Sequence, residues 1–568
     1  MDIDPIQTQI NEYRINNSDK INEIERLTYI KAYEPLKLYL TNNKYSKHKI
    51  FEFLDMIQKT LLDEIYCMID KLSTETWLMY LRRVYTLHMN SEYLRVLNIL
   101  LVNNMNQLKP EGFIHELRVE NNHILITDID TMNNLFESVF EVSFKIIVLC
   151  SITTTMRLVG KGMVITGFDE SSFYPIFANN KTIRKSLQYY DNYHIPFSKL
   201  ALPVNIDIIE NTSMEEKYDC FGLMPIKEPL YIRHDVNGYT WAMMHYAPCV
   251  FRLDDVFKLL DKYCESIEII YNVTIQSIYY VIFALSKLTG ATTIPLLYTF
   301  KIKDEKIHSS IDLSKEMNRV KFSFDLCNKG YLHFEKDNLI NRMCSIDYNN
   351  YSESKKKELI HEFIDAFCLL RGDDIKIYSE FMPFMYLTKS NNIIIDYTSF
   401  FYFLESLLKS GKEYYATLQG DRFNAYVRKK LGNVLSPKMF LYDKERVIIN
   451  KNKEKAQIDV IVNTDDTIYL IECKAYEKKA QYLKGHPKEI TNRISLINQA
   501  VKQAKRSCKI VGDYFDIKYD KKYKYEWIVC SADREFIFPL DKYGYLYDEI
   551  PKVCTVEDII EFMIHTKV

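Results

Sequence analysis

Asp459, Glu472 and Lys474 are charged residues within two otherwise apolar segments near the carboxyl terminus. Alternate side chains of a β-strand share one face, so Glu472 and Lys474 project together while Cys473 points to the other side. Carboxylates that converge in apolar strands are costly unless a cation compensates them, and their hard oxygens suit Mg²⁺. A lysine beside such an ion can orient or help deprotonate a water, or stabilise negative charge in a transition state. These residues therefore indicate metal-assisted hydrolysis.

A helix and a β-hairpin must position these residues. After Gly420, the apolar residues Phe423, Val427 and Leu431 share one helical face and predict a helix. The pattern then predicts strands over 446–449, 457–462 and 467–475, a loop over 450–455 and a turn over 463–466. The predicted order is helix, strand, hairpin.

The hairpin also predicts which side chains face each other. If the turn has the four residues proposed, Val462 pairs with Thr467 and Asp459 lies opposite Leu470. Asp459 is then one diagonal step from Glu472 on the same face. The alternative is an ordinary surface hairpin on which these charges form a cross-strand ion pair.

Asp459, followed after twelve residues by Glu472-Cys473-Lys474, resembles the catalytic signature of the PD-(D/E)XK, or restriction-endonuclease-like, superfamily. In that family the first carboxylate opens one strand of a hairpin, and the E-x-K triplet lies on the next strand. The resemblance covers the carboxy-terminal part alone, and it implies an α/β restriction-endonuclease-like core. It also implies Mg²⁺-dependent phosphodiester hydrolysis, with Mn²⁺ as a substitute. Asp459 and Glu472 would bind the metal, and the carbonyl of Cys473 would complete its shell.

Two further positions are compared with this family. Many members carry a Glu in the first helix after Gly-x-x-Phe, where this chain has Asn424, so a second metal site lacks a ligand. Asp421 is either a substitute from one turn earlier or the N-cap of the helix. Many members also carry a Gln on the helix after E-x-K, and Gln499, which shares a face with Gln503, is the candidate catalytic residue. A solvated helix face is the alternative reading of Gln499.

A local excess of basic residues follows the E-x-K triplet. Between residues 478 and 524 there are thirteen Lys and Arg but four Asp and Glu, although the whole chain has a net charge of −2. A nucleic-acid backbone can bind such a stretch, and Lys502, Lys505 and Arg506 are the candidate contacts. Charge runs are more often solvated faces, so this feature alone decides nothing.

The length of 568 residues indicates several domains. A mainly α-helical domain is predicted over 1–114, a mixed α/β and helical region of unknown role over 115–410, and the nuclease core over 411–568. The last boundary is placed at the polar group Lys409–Lys412, because helices seldom continue through Ser-Gly. The amino-terminal region is expected to sense, bind or dimerise, as a homodimer or with a partner protein.

Composition limits the class of protein. Apolar residues make up 47% and charged residues 26%, which is typical of a folded chain. The amino terminus is acidic and polar, unlike a signal peptide, and the apolar runs 146–156 and 279–285 are too short to cross a bilayer. We therefore expect a cytoplasmic protein without a membrane partner. His234-Asp235, His361-Glu362 and Lys161 match no site motif and are expected to be structural.

The resulting expectation is a metal-dependent endonuclease that cuts nucleic acid, DNA rather than RNA, in bacterial or phage-related defence or restriction. The defence role is an analogy at the level of the fold. A non-catalytic nucleic-acid-binding or assembly protein with a degenerate nuclease fold is the alternative. A third reading makes the amino-terminal region an enzyme of another kind.

Overall fold

The computed structural model describes residues 5–70, 74–84, 96–97, 99–100, 119–120, 123–124, 129–170, 173–191, 202–203, 220–233, 240–251, 253–298, 300–303, 306–309, 326, 330–368, 384–387, 391–417, 421–441, 446–450, 452–464, 466–519 and 523–565. The described chain is mostly helical, with several small sheets. The pair His234-Asp235 lies outside the described residues.

Long helices dominate the first part of the chain. They are α1 (Pro5–Asn16), α2 (Ser18–Asn42), α3 (Lys47–Ile69), α4 (Thr74–Val84), α5 (Ile129–Gly160) and α6 (Lys181–Asp191). The helix α3 buries Ile50, Leu54 and Leu61 on one face, which is the spacing of an amphipathic helix packed against a core. The apolar run 146–156 lies inside α5 and is largely buried, so it is a core element as expected.

Short antiparallel sheets accompany these helices and those that follow. The strands are β1 (Val119–Glu120), β2 (His123–Ile124), β3 (Ile165–Phe168), β4 (Pro175–Phe177), β5 (Leu202–Pro203), β6 (Cys220–Arg233), β7 (Thr240–Phe251), β8 (Phe300–Lys303), β9 (Lys306–Ser309), β10 (Tyr331–Glu335), β11 (Met385–Leu387) and β12 (Asn392–Asp396). The helices that follow are α7 (Leu253–Asp261), α8 (Cys264–Tyr271), α9 (Ile275–Tyr298), α10 (Lys336–Cys344), α11 (Glu353–Phe363, continued by a π-turn over Ile364–Cys368) and α12 (Phe400–Thr417).

The helix α12 corrects one prediction. It continues through Lys409–Lys412, where the Ser-Gly pair was expected to end a helix. Gly411 is buried, and a Cβ atom there would lie 2.8 Å from the Cβ of Tyr263 and 3.3 Å from Cγ1 of Ile267. The glycine therefore allows close packing against α8 and does not break the helix. The domain boundary placed at this point stays a prediction.

One connected apolar cluster extends from Ile10 to Leu408. It also contains a fully buried ion pair between Arg82 and Asp396. Of the pair His361-Glu362, Glu362 accepts hydrogen bonds of 2.7 and 2.8 Å from Thr274 just before α9. The structural role expected for His361 stays a prediction. The ranges 1–114 and 115–410 likewise stay predictions.

The carboxy-terminal part has its own order of elements. They are α13 (Asp421–Gly432), a 3₁₀ turn (Pro437–Met439), β13 (Arg446–Ile449), β14 (Lys455–Ile458), β15 (Val460–Asn463), β16 (Thr467–Lys474), α14 (Ala480–Leu483), α15 (Pro487–Tyr519), β17 (Lys524–Ser531), a 3₁₀ turn (Leu540–Tyr543), β18 (Tyr545–Tyr547), β19 (Ile550–Pro551), β20 (Val553–Cys554) and α16 (Val556–His565). The predicted order of helix, strand and hairpin is confirmed.

A four-stranded sheet in the order β15-β16-β17-β20 is covered on both faces. The strands β16, β17 and β20 are parallel, and β15 is antiparallel to β16. One face packs against α13 and α16, the other against α15; the first core includes Phe423, Val427 and Cys473, and the second includes Leu470 and Val511. Alternate residues of β16 thus lie in different cores, as strand geometry requires.

The register of the hairpin differs from the prediction by two residues. Val462 pairs with Tyr469, not Thr467, because Asn463 also pairs with Ile468, so the four residues between the last paired positions are 464–467 and not 463–466. The segment predicted as one strand over 457–462 is two strands, β14 and β15, with a bend at Asp459. A shift of two residues preserves the face on which each side chain lies.

Within the described residues, no single helix is long and apolar enough to cross a membrane. One pair of helical segments, Cys264–Tyr271 and Ile275–Leu288, passes that test together by length and composition, with a bend of 93° between them.

Candidate active site

Asp459 lies at the bend between β14 and β15, and 6% of its surface is exposed. Its Oδ1 accepts a hydrogen bond of 3.0 Å from Nδ2 of Asn424, and its Oδ2 accepts one of 2.8 Å from the main-chain N–H of Cys473. Because the chain bends at Asp459, the side-chain oxygen Oδ2 accepts the hydrogen bond that the main-chain N–H of Cys473 donates from β16. The carboxylate is therefore fixed in orientation by two elements.

Glu472 and Lys474 occupy the end of β16. Glu472 is buried, with 5% of its surface exposed, and its Oε1 lies 2.7 Å from Nζ of Lys474. The Lys474 side chain is 25% exposed, so it is the member of the pair nearer to solvent. The interaction between these alternate residues is the one that strand geometry predicts.

The structure brings the three charged residues together. The ladder ends with Val460 paired to Ile471, so the same register continued by one step places Asp459 opposite Glu472, and Ile461 lies opposite Leu470. The carboxylate of Asp459 is also bonded to Cys473, the residue between Glu472 and Lys474. Asp459 is thus linked to the Glu472–Lys474 pair through Cys473, and the strand pairing differs from the one predicted. The catalytic roles of these residues stay predictions.

Burial and mutual attraction set the charge states of this cluster. Burial raises the pKa of Asp459, and the Cys473 N–H, Lys474, Asn424 and Arg428 oppose this increase in part. Burial alone would lower the pKa of Lys474, but its hydrogen bond to Glu472 and the charges of both carboxylates outweigh burial and raise it. Lys474 is therefore held as an ammonium group in this arrangement.

The helix α13 forms one wall of the site. Asn424, which stands where many superfamily members have a Glu, is buried and contacts Asp459 directly. Arg428, one turn further along, donates a hydrogen bond from Nη2 to the main-chain carbonyl of Asp459. Sequence reasoning identified Asn424 but missed Arg428, whose only signal was its spacing of four residues from Asn424. The side chain of Asp421 lies outside the described residues.

The donor set fits one hard divalent cation. In the part of the chain that the structure describes, no three His, Cys, Asp or Glu side chains form a group that could hold a metal. The cluster offers two buried carboxylates, those of Asp459 and Glu472, as side-chain oxygens that could hold such an ion. Mg²⁺ commonly takes one or two carboxylates and completes its shell with carbonyls, waters and phosphate oxygens. The carbonyl of Cys473 as a third ligand stays a prediction.

The residues after β16 are held by buried ion pairs. Arg493 binds Glu535 through two hydrogen bonds of 2.8 and 2.6 Å and also donates to the carbonyl oxygens of Tyr476 and Glu477. Lys478 pairs with Asp533. These contacts fix the chain directly beyond Lys474. They also occupy Lys478 and Arg493, two of the basic residues that make up the local charge excess between residues 478 and 524.

The other predicted site residues lie on α15. Gln499 is exposed, and no hydrogen bond joins it to Asp459, Glu472 or Lys474 among the described residues. Its catalytic role stays a prediction.

The three predicted contacts for nucleic acid, Lys502, Lys505 and Arg506, are exposed on the same helix, whereas Ala500 and Ala504 are buried. Nζ of Lys505 lies 5.2 Å from the centre of the Trp527 ring, so this lysine is partly ordered by a cation–π contact. The three side chains form an outward-facing basic surface beside the sheet.

A cavity of about 10 Å³ separates Glu472 from α15. Gln457, Ala504 and Ser507 contribute to its lining. This volume is at the lower limit for one water molecule, so Glu472 is otherwise closely packed on this side.

Comparison with known proteins identifies the carboxy-terminal region. Residues 421–531 match the family NERD, described as nuclease-related domain. NERD is a PD-(D/E)XK-like nuclease domain, so the resemblance drawn from Asp459 and Glu472-Cys473-Lys474 is confirmed for this region. No curated protein and no solved structure matches the chain.

Proposed function

We propose that this protein is a divalent-metal-dependent endonuclease that hydrolyses phosphodiester bonds in nucleic acid. The observation that carries the proposal is the meeting of two buried carboxylates, Asp459 and Glu472, with the partly exposed ammonium group of Lys474. The nuclease-related domain over residues 421–531 supports it. Mg²⁺ is the expected ion, and Mn²⁺ is the expected substitute.

Each residue has a distinct task in this proposal. Asp459 and Glu472 would hold the cation, which supplies Lewis-acid polarisation and a more acidic water when bound. Asn424 and the Cys473 N–H orient the Asp459 carboxylate, and their bonds to it exist without a metal. Lys474 stabilises negative charge on the phosphoryl oxygens, because its raised pKa favours the ammonium form over a general base. Gln499 would contact the phosphate group.

DNA is the proposed substrate, bound through Lys502, Lys505 and Arg506. Their exposed positions on α15 support contacts with a phosphate backbone, which give affinity without sequence preference. Lys484 and Arg493, by contrast, are buried in ion pairs and are not available to a backbone. The binding surface is thus smaller than the charge count suggests.

A non-catalytic nucleic-acid-binding protein is the second candidate. Asn424 favours it, because an amide stands where many superfamily members have a carboxylate. Lys474 opposes it, since a domain kept only for binding has no need for a lysine held beside two buried carboxylates.

We further propose that the amino-terminal region controls the nuclease domain through the segment that follows β16. Asp55 of α3 pairs with Lys484, and the ring of Phe51 lies 5.1 Å from that of His486. The main chains of Gly160 and Gly485 are so close that a Cβ atom on Gly160 would lie 1.6 Å from the Gly485 carbonyl oxygen. These contacts support a route by which a ligand, a partner protein or a second copy of the chain alters the site. Defence or restriction is the proposed setting.

One experiment tests the main proposal. The purified protein is incubated with supercoiled plasmid, linear single-stranded DNA and RNA, each with Mg²⁺, Mn²⁺ or EDTA. We expect DNA cleavage that requires the metal and that is absent for the Asp459→Ala variant. Binding without cleavage under all metal conditions would favour the non-catalytic candidate. Preferential loss of RNA would contradict the choice of substrate.

A further inference from the structure

The main chain at Asp459 is irregular in a way that the site requires. The strands β14 and β15 are adjacent in sequence but belong to different sheets, and Asp459 is the residue at which they separate. A continuous strand would use its main-chain groups in one ladder. The bend leaves the Asp459 carbonyl to be satisfied outside that ladder, and a buried carbonyl without a hydrogen-bond partner is destabilising.

Arg428 satisfies that carbonyl from α13. It stands one turn after Asn424, so the two side chains reach the same residue from the same side of the helix. Asn424 binds the carboxylate, whereas Arg428 binds the main chain that carries it. The helix itself is anchored by Phe423 and Val427, which are buried in the core under the sheet.

We propose that Arg428 is a positioning residue that holds the bend at Asp459 and so directs the carboxylate toward the catalytic cluster. This inference rests on the proposed function, because the cluster matters only if it binds the metal and cuts. Arg428 itself touches neither the metal nor the substrate in this account. The guanidinium group suits the task, since its planar set of donors is less easily reoriented than an ammonium group.

Loss of such a group has a typical size. Groups that orient metal ligands are commonly worth about 10- to 100-fold in metal affinity or activity. A small displacement of a ligand has an effect of similar size on rate. We therefore expect Arg428→Ala to lower kcat and the affinity for Mn²⁺ by about 10- to 100-fold each, with little change in KM for DNA.

The test uses the full chain with Arg428→Ala, Arg428→Lys and the control Arg422→Ala, which removes an exposed arginine from the same helix. Mn²⁺ affinity is measured by the loss of the free-ion signal in electron paramagnetic resonance, and cleavage by steady-state kinetics. The third measurement is the main-chain amide resonance of Cys473, recorded on protein labelled with ¹⁵N-cysteine. The chain contains 12 cysteines, of which Cys473 is one. The chemical shift of this resonance depends directly on the hydrogen bond that the Cys473 N–H donates to Asp459.

The expected result is a shifted Cys473 resonance and reduced Mn²⁺ affinity for Arg428→Ala, an intermediate effect for Arg428→Lys and none for Arg422→Ala. An unchanged Cys473 resonance with wild-type Mn²⁺ affinity would overturn the inference, whatever happens to the rate. If Arg428→Ala does not fold, Arg428→Lys decides on the same criteria. One further outcome separates the two proposals. If the wild-type chain neither binds Mn²⁺ nor cleaves DNA, but Arg428→Ala still shifts the Cys473 resonance, the nuclease proposal is rejected and Arg428 remains the residue that positions Asp459.

Discussion

Replacement of Asp459 by Ala and by Asn separates the catalytic role of this residue from its structural role. The Ala variant leaves two buried donors, the Cys473 N–H and the Asn424 amide, without their acceptor. Each such loss costs about 1–3 kcal/mol, so the direct penalty is about 2–6 kcal/mol, and removal of a buried carboxylate offsets part of it. Asn keeps an acceptor for Cys473, and the side-chain amide of Asn424 can turn to accept from it.

The sign of the Asn effect follows from the raised pKa of Asp459. Burial raises that pKa in the folded state, so the ionised form is disfavoured by folding. Stability from this group is greatest when the carboxyl is protonated and is lost as pH rises through the folded pKa. At pH 7 the neutral Asn should therefore be at least as stable as wild type, while both variants lose metal-dependent cleavage because a ligand is gone.

Urea unfolding at pH 7 measures the change in stability of each variant. Plasmid cleavage with Mg²⁺ or EDTA measures the loss of metal-dependent activity on the same preparations. Filter binding of DNA should be nearly unchanged for both variants, since phosphate contacts elsewhere carry it. Cleavage at the wild-type rate by either folded variant would refute the assignment of Asp459 to the metal. An Asn variant as unstable as the Ala variant would refute the hydrogen-bond account.

Four further predictions address the rest of the molecule. Lys474→Ala should bind Mn²⁺ with unchanged affinity in calorimetry but cleave about 10²- to 10³-fold more slowly, and an unchanged rate would exclude its role. Neutralising Lys502, Lys505 and Arg506 together should weaken DNA binding and flatten its salt dependence by about one unit of slope per contact, while cleavage at saturating DNA persists. Neutralising Lys44 and Lys49, which are exposed on the amino-terminal part, is the control and should leave the slope unchanged. Calorimetric titration of Mg²⁺ should reveal one tight ion and at most one weak one, because Asn424 supplies no carboxylate, and two equally tight ions would mean that a ligand has been overlooked. Burial raises the pKa of Glu405 to about 7. The stabilisation of the protein by Glu405→Gln, measured by urea unfolding, should therefore increase as pH rises from 4.5 to about 7. At pH 8 it should exceed its value at low pH by about 3 kcal/mol. Glu34→Gln, an exposed control on α2, should show no such trend.

The faces of the hairpin could be predicted because they depend on parity alone. Glu472 and Lys474 are alternate residues of one strand, and an error of two residues in the pairing of Val462 left the faces of the paired residues of β15 and β16 unchanged. An error of one residue would have moved the paired side chains of β15 to the opposite face of the sheet. The helix at 421–432 was predicted for a similar reason, since Phe423 and Val427 show the periodicity of a buried face.

Features that depend on contacts distant in sequence could not be predicted. Gly411 has the local signature of a helix end, but its role is set by Tyr263, which is far away in the chain. The bend at Asp459 is likewise held by Arg428 from a helix that precedes the hairpin, and no local pattern in 457–462 marks it. Local propensity is overridden wherever tertiary contacts supply more free energy than the local preference.

Two kinds of buried carboxylate in this chain explain why the site at Glu472 calls for a function. Asp396 is completely buried, and its oxygens accept hydrogen bonds from Arg82, Thr398 and Ser399. Such a group needs nothing from outside the protein. Glu472 is buried to almost the same extent on a strand whose other buried residues are apolar, namely Ile468, Leu470, Ile471 and Cys473. Its lysine partner is nevertheless a quarter exposed.

A sheet selected for stability alone would replace such a group with an apolar residue at little cost or with a gain. Asp459 is a second incompletely compensated carboxylate. Burial raises its pKa, and the hydrogen bonds and positive charges around it offset this increase only in part. A divalent cation between these two carboxylates would remove the conflict, and Lys474 would then be free to interact with the phosphate that the cation binds. The proposed chemistry thus accounts for two buried carboxylates in one small region, in addition to the structural role of Asp459 as the acceptor for Asn424 and Cys473.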